Sequence, residues 1–229
     1  ANGVRLVDVR KNEFANVASG QPFRSRCTRI LSVGQDCSVG KMVATLEVNH
    51  ELVQRGIDSC FLATGQTGIM ITGSGIPVDC VVSDFINGAV ESLVRANDQH
   101  GFALVEGQGS ISHPAYSAVT TGLIHGSRPD GMIFCYEAGR RYVKGLNEIE
   151  LPSIAQQIDC YLTMANIQHP SRFVGFAVNT RNLTAAEATK EIDRIEQEFG
   201  LPACDVYRDG PARLADACIE LKQNMGRPA

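Results

Sequence analysis

Five short apolar runs punctuate the chain, at residues 30–33, 60–63, 102–105, 132–135 and 173–178. None alternates with polar residues, which is the pattern of strands buried on both faces of a parallel sheet. Helical periods lie between them. Val39, Val43, Leu46 and Val53 predict one helix, with Glu47, Glu51, Gln54 and Arg55 on its other faces and Gly56 as its stop. Ile154, Ile158, Tyr161 and Ala165 predict a second, entered from Pro152. A third spans residues 184–199. Thr184 and Glu187 form its capping box, Ala188, Ile192, Ile195 and Phe199 its apolar stripe, and Gly200 and Pro202 its end. A last helix starts near Pro211 and buries Leu214, Ala217, Cys218 and Leu221. This rhythm predicts a doubly wound α/β domain, a mainly parallel sheet with helices on both faces. Residues 4–9 read as a strand, and residues 10–27, polar and uneven, as a linker. The chain begins at Ala1 without a Met and is expected to be a piece of a longer polypeptide. On that reading residues 1–27 are the end of a preceding domain plus the linker, and 28–229 are the α/β domain.

The chemistry gathers where predicted strands end. After Ile30-Leu31-Ser32-Val33 comes Gly34-Gln35-Asp36-Cys37-Ser38-Val39-Gly40-Lys41, then a helix. This fits G-x-x-x-x-G-K between a strand and a helix, the phosphate-binding loop. Backbone N–H groups, the helix N-terminus and the Lys41 charge all favour an anion there. The next residue is Met42. A nucleotide triphosphatase carries Ser or Thr at that place, whose hydroxyl ligates Mg²⁺. Met offers no such ligand, and Thr45, one turn on, is a poor substitute. The loop therefore reads as a grip for a diphosphate more than as a site that splits ATP, and no resident metal is expected.

Further strand ends supply further candidates. Phe102-Ala103-Leu104-Val105 runs into Glu106-Gly107-Gln108-Gly109-Ser110. At the carboxyl edge of an α/β sheet, Glu106 is placed to orient a metal, take a proton or bind a substrate amine, the alternative being a strand-end Glu that faces solvent. His113, seven residues on, is a second acid–base candidate, although a lone His is more often structural. Thr64, Gln66 and Thr67 follow the second run and suit ligand contact, although a turn explains them nearly as well. Glu137 and Arg140, with Arg141 and Lys144 beyond, follow the fourth, and the Arg140 fork suits a carboxylate, although a solvated loop explains the segment equally well. Asn179 ends the fifth and can meet the edge of a purine, although turn chemistry explains it equally well. Cys37 sits inside the phosphate loop, where an acyl-cysteine is conceivable and simple packing is favoured.

Composition narrows the partners. Lys and Arg number 21 and Asp and Glu 25, a formal charge of −4, which argues against a broad nucleic-acid surface. No apolar run approaches the ~20 residues of a membrane span. The eight cysteines include no C-x-x-C pair and mostly sit in apolar runs, as buried thiols in a reducing cytosol would.

Gly34–Lys41 with Val105-Glu106-Gly107 resembles dethiobiotin synthetase and its relatives, which pair a G-x-D-x-x-V-G-K loop with a strand ending in Val-Glu-Gly. A fuller set is similar to a bacterial and archaeal P-loop family long labelled a domain of unknown function. That set adds Ala63-Thr64-Gly65-Gln66-Thr67-Gly68, Gly75-Ile76-Pro77-Val78-Asp79, Gln108-Gly109-Ser110 with His113-Pro114, and Glu137-x-Gly139-Arg140. The described members of that family are D-amino-acid N-acetyltransferases, D-glutamate N-acetyltransferase being the type case. The resemblance covers the chain from about residue 4 to the last helix. It implies an N-terminal domain ahead of this chain and acetyl-CoA as co-substrate, with its phosphates on residues 34–42 and Asn179 as a further coenzyme contact. It also implies a small amino-acid acceptor near Thr64, Gln66, Thr67, Gln108, Ser110, Glu137 and Arg140. Lys41, Glu106 and His113 are then the catalytic candidates. A cytoplasmic homo-oligomer without nucleic-acid or membrane partners is expected. The alternatives are an ATP- and Mg²⁺-dependent ligase or kinase like dethiobiotin synthetase, and a nucleotide-binding module without turnover.

Overall fold

The computed structural model describes residue 3 and residues 6–227. In chain order the elements are β1 (Thr28–Gly34), α1 (Lys41–Gln54), β2 (Ser59–Leu62), α2 (Gln66–Thr72), α3 (Ile86–Arg95), β3 (Phe102–Val105) and α4 (Ser117–Ser127). They continue as β4 (Gly131–Glu137), a hairpin of β5 (Tyr142–Val143) and β6 (Leu146–Glu150), α5 (Ile154–Ala165), β7 (Arg172–Asn179), α6 (Ala185–Phe199), β8 (Ala203–Cys204) and α7 (Ala212–Asn224). Six strands form one parallel sheet in the order β2-β3-β1-β4-β7-β8. All therefore end on one edge, with the phosphate-loop strand β1 between β3 and β4. Among the described residues no helix is long and apolar enough to cross a membrane.

Successive strand residues feed two cores. Leu31, Val33, Ala103, Val105, Phe134 and Tyr136 pack with α3, α4, α5 and α6, while Ile30, Phe102, Leu104, Ile133 and Cys135 pack with α1 and α7. Covering both faces explains why these strands show no polar alternation.

Three sequence expectations change. Leu6–Val9 is not a strand: residues 6–8 are irregular and residue 9 begins a turn, while Val4 and Arg5 lie outside the described residues. The sheet-facing stripe of α1 is Lys41, Ala44, Thr45, Val48 and Leu52, and Val53 is half exposed. Small and polar residues face the sheet there, so the apolar period pointed to the wrong face. The helix α4 was hidden by its glycines. A Cβ at Gly126 would lie 2.6 Å from the Asn87 carbonyl oxygen, so only glycine lets α4 approach α3 this closely.

Residues 11–24 carry no helix or strand but are tied down. Glu91 on α3 accepts from the Ser19 and Gly20 N–H groups. The Phe23 ring lies under three guanidiniums, with Arg128 at 4.3 Å, Arg29 at 5.1 Å and Arg95 at 5.3 Å.

Just before β4, the buried Asp130 carboxylate accepts from the Arg29 backbone (2.8 Å) and guanidinium (3.0 Å) and from Arg227 (3.0 Å). It also pairs with His169 at 2.8 Å. Burial alone would raise the Asp130 pKa. The His169 hydrogen bond, the Arg29 charge and backbone N–H, and Arg227 outweigh it and hold the carboxyl below its ordinary value. Asp130→Ala leaves Arg29 buried without its partner and is expected to cost about 3–5 kcal/mol in chemical denaturation, the scale of a broken buried pair. Because the folded pKa is depressed, the contribution of Asp130 is complete above its ordinary pKa near ~3.9 and is lost as pH falls through the lower folded value. A stability profile of Asp130→Ala should therefore be flatter than that of the parent below about pH 4.

Candidate active site

The loop between β1 and α1 forms the floor of a cleft of about 660 Å³ at the carboxyl edge of the sheet. Cys37, Ser38, Gly40, Lys41 and Met42 line it, and Ser38 holds a left-handed φ of 55°. That conformation is uncommon for a residue with a side chain and marks a constrained turn. The Lys41 ammonium is buried and donates to the Asp36 carbonyl at 2.7 Å. Burial lowers its pKa, and neighbouring Cys135, Cys37 and Asp36 work against that. The Thr45 hydroxyl is 2.7 Å from both the Lys41 carbonyl oxygen and the Ser32 hydroxyl, beneath the loop. It is engaged inside the fold and does not replace the hydroxyl that Met42 lacks.

Glu106 lies immediately after β3, beside the loop. It is 2% exposed, lines the cleft and accepts from the Thr64 N–H (2.9 Å), the Gly65 N–H (3.1 Å) and the Gln108 amide (3.2 Å). Burial raises its pKa above the ordinary carboxylate value. The Thr64 and Gly65 N–H groups, Gln108 and the Lys41 charge only partly oppose that. Gly107 is required next: a Cβ there would meet the Ser32 carbonyl oxygen at 1.7 Å, so the turn packs directly on β1. Gln66, Thr67 and Gln108 line the same part of the cleft, and Asn179 lines its other end.

Other expected site residues support the loop and do not line the cleft. Gly34 and Val39 are buried in its frame. Asp36 is fully buried. One oxygen accepts from Arg140 (2.9 Å) and the Lys144 N–H (2.7 Å), and the other from the Cys37 N–H (2.7 Å). Arg140, expected to hold a substrate carboxylate, instead donates to Asp36, to the Cys37 carbonyl at 2.7 Å and to Glu137. Glu137, expected beside it, accepts from Arg140, Arg181 and Asn182. Its carboxylate is thereby saturated. The Thr64 hydroxyl donates to the Glu106 carbonyl and the Ser110 hydroxyl to the Gln35 carbonyl, both buried. Each positions the loops that carry Glu106 and the phosphate grip.

His113 is also under the loop and not in the cleft. Its Nδ1 accepts from the Ala115 N–H at 3.1 Å, and its Nε2 faces Asp36 at 3.9 Å without a hydrogen bond. Asp36, Cys37 and His113 bring one potential metal-ligating atom each within 4.8 Å of one another. Accepting at Nδ1 places the proton of a neutral ring on Nε2, so the nitrogen facing the trio is a donor and not a metal ligand. Burial also pushes the Cys37 thiol up, with Lys41 only partly opposing, which disfavours the thiolate an acyl-cysteine needs.

Sequence reasoning missed several residues. Tyr161 on α5 donates to the Gly34 carbonyl at 2.8 Å and accepts from the Ile111 N–H at 3.0 Å, joining the loop to the segment after Glu106. Its place in the α5 apolar stripe masked that hydroxyl. Arg181, Asp205, Tyr207 and Arg208 line the end of the cleft beside Asn179. The only local signal for the last three was a two-residue strand, β8, too short to show a period.

Residues 16–215 match a domain of unknown function described as the DUF1611 P-loop domain. The chain belongs to that family. A protein of Tritonibacter scottomollicae named D-glutamate N-acetyltransferase is 44% identical over 219 residues, which are 95% of this chain and 65% of that protein. A Pseudoalteromonas protein of the same name is 40% identical over 210 residues, 91% of this chain and 63% of that protein. The chain thus spans just under two thirds of the length of these curated relatives. The crystal structure of a DUF1611 family protein from Anabaena variabilis superposes with a TM-score of 0.90 at 36% identity, covering 96% of this chain and 65% of that one.

The support role of Arg140 has a direct consequence. Arg140→Gln removes the cation from Asp36 and Glu137 and is expected to destabilise the fold by about 3 kcal/mol, the lower end for breaking a buried pair. It should also weaken anion binding at the loop. Denaturation and binding of a diphosphate ligand check both, and an unchanged loop affinity would return Arg140 to the acceptor side.

Proposed function

We propose that this chain carries the donor site and the catalytic base of an N-acetyltransferase that moves an acetyl group from acetyl-CoA to the amine of a D-amino acid, D-glutamate foremost. The observation that carries the reading is the pairing in one cleft of a phosphate grip without its metal-ligating hydroxyl and a buried carboxylate with a raised pKa. The name of the two curated relatives agrees with it. Acetyl transfer needs the diphosphate held and no phosphate bond broken, which is what a loop ending in Lys41-Met42 supplies.

The chemistry assigns roles. The acceptor amine arrives as an ammonium and must lose a proton before it attacks the thioester carbonyl. Glu106 takes that proton. The C–N bond forms, the C–S bond breaks and the electron pair leaves as the coenzyme thiolate, to which the protonated Glu106 returns its proton, while the remaining extra proton of the new amide nitrogen passes to solvent. Gln66, Thr67 and Gln108 border Glu106 and are the groups best placed to meet the acceptor. The ATP-dependent ligase reading keeps one argument, the P-loop itself, and is separated by its need for Mg²⁺.

Two measurements test this. Lys41→Ala is expected to weaken coenzyme A binding by ~1.5–3 kcal/mol, the scale of a lost charged hydrogen bond, and EDTA should leave binding and turnover of the parent unchanged. Stoichiometric ATP consumption that requires Mg²⁺ would give the cleft to the ligase reading. Glu106→Gln keeps the shape, removes the proton acceptor and should lower turnover ~10²–10⁴-fold with little change in donor affinity. Because burial raises the Glu106 pKa, the acid limb of the turnover profile should fall above the ~4.3 of an ordinary glutamate and vanish in Glu106→Gln. A parent-like rate in that variant would place the base elsewhere.

A further inference from the structure

The end of the cleft beside Asn179 carries two guanidiniums beyond the Lys41 charge that a nucleoside diphosphate would meet. The charge of such a ligand is concentrated on its diphosphate, and Lys41 and the loop N–H groups already answer it. Yet Arg181 and Arg208 also line the cleft there, with side chains 60% and 37% exposed. Both are anchored through a single terminal nitrogen. Arg181 Nη2 donates to both oxygens of Glu137 at 3.0 Å. Arg208 Nη2 donates to the Leu183 carbonyl at 2.7 Å and the Thr180 carbonyl at 3.3 Å. These anchors fix each fork and leave its other N–H groups for a ligand. The acid in this part of the cleft, Asp205, is turned inward. It accepts from the Thr180 and Tyr207 N–H groups at 3.0 Å, is 4% exposed, and lies 3.8 Å from Arg208 Nε. Tyr207, 77% exposed, offers an aromatic face to a purine beside the Asn179 amide.

We infer that Arg181 and Arg208 form a subsite for the 3′-phosphate of coenzyme A and select a coenzyme A thioester over nucleotides that lack that phosphate. This rests on the acetyl-CoA reading of the cleft. Coenzyme A carries its charge in two separate places, a pyrophosphate and a phosphate on the ribose. The cleft likewise carries its cations in two places, the loop and the Arg181–Arg208 pair. Guanidinium forks bind phosphate oxygens through paired N–H groups, which an ordinary ribose hydroxyl cannot repay with charge. The anchoring of both arginines lowers the side-chain entropy lost on binding.

The test compares coenzyme A with 3′-dephospho-coenzyme A by calorimetric titration of the full polypeptide, and repeats it on Arg181→Gln and Arg208→Gln. The parent is expected to prefer coenzyme A by on the order of 10–100-fold, the size of a lost hydrogen bond between charged groups. Each variant should lose most of that preference while binding the dephospho ligand as the parent does. Equal affinity of the parent for the two ligands overturns the subsite and leaves the acetyl-CoA reading standing. Variants that weaken both ligands alike also overturn it, since that is the result of a purely structural arginine. Failure of the folded parent to bind either ligand overturns the donor reading and the subsite together.

Discussion

The buried carboxylate of Asp36 is the constraint around which the upper edge of this molecule is arranged. A fully buried charge is tolerated only when it is paired and hydrogen-bonded. Asp36 sits within the phosphate loop, and its partners come from the loop itself and from the chain beyond β4. To supply Arg140 and the Lys144 N–H, the segment after β4 must fold back over the loop. Arg140 then holds Glu137, Glu137 holds Arg181 and Asn182, and so the ends of β1, β4 and β7 are tied into one network. On the other side of β1, Tyr161 and Ser110 hold the loop to the segment that follows Glu106. The loop is thereby held from both sides.

That preorganisation bears on what the loop can do. Its anion-facing groups are short-range and local, whereas the residues that hold them are distant in sequence. A diphosphate bound to such a loop meets donors already in place, and little ordering cost is subtracted from its affinity. Met42 offers no hydroxyl and the Thr45 hydroxyl is engaged inward, which supports the proposed reading of a loop that holds a phosphate without cleaving it.

The sequence was informative where the physics is local. Strands buried on both faces show as unbroken apolar runs, and the loop between β1 and α1 shows as glycines, a lysine and a helix start. The capping box of α6 is likewise local, with Thr184 and Glu187 bonding each other's backbone as expected. The reading failed where a partner lies far along the chain. Nothing near Arg140 shows that its acceptor is Asp36, so an exposed clamp for substrate was the natural expectation. The α1 stripe was misassigned because Lys41, Ala44 and Thr45 face the sheet, and apolarity does not distinguish them. The cleft end at Asp205, Tyr207 and Arg208 follows a strand of two residues and leaves no periodic trace.

Glu106 and Glu137 show why position alone could not assign roles. Each stands at the carboxyl end of a strand that neighbours β1, on opposite sides of it, and each is almost fully buried. Their partners differ. Glu137 accepts from two arginines and an asparagine, and both of its oxygens are engaged. Glu106 accepts from two backbone N–H groups and an amide, all neutral, and it lines the cleft. Burial without a directly bonded cation raises its proton affinity, which is the property a general base for an ammonium requires. The same residue type in mirrored places is tied up by arginines on one side of the phosphate-loop strand and left without a bonded cation on the other, and this difference is what supports the proposed role of Glu106 as the base.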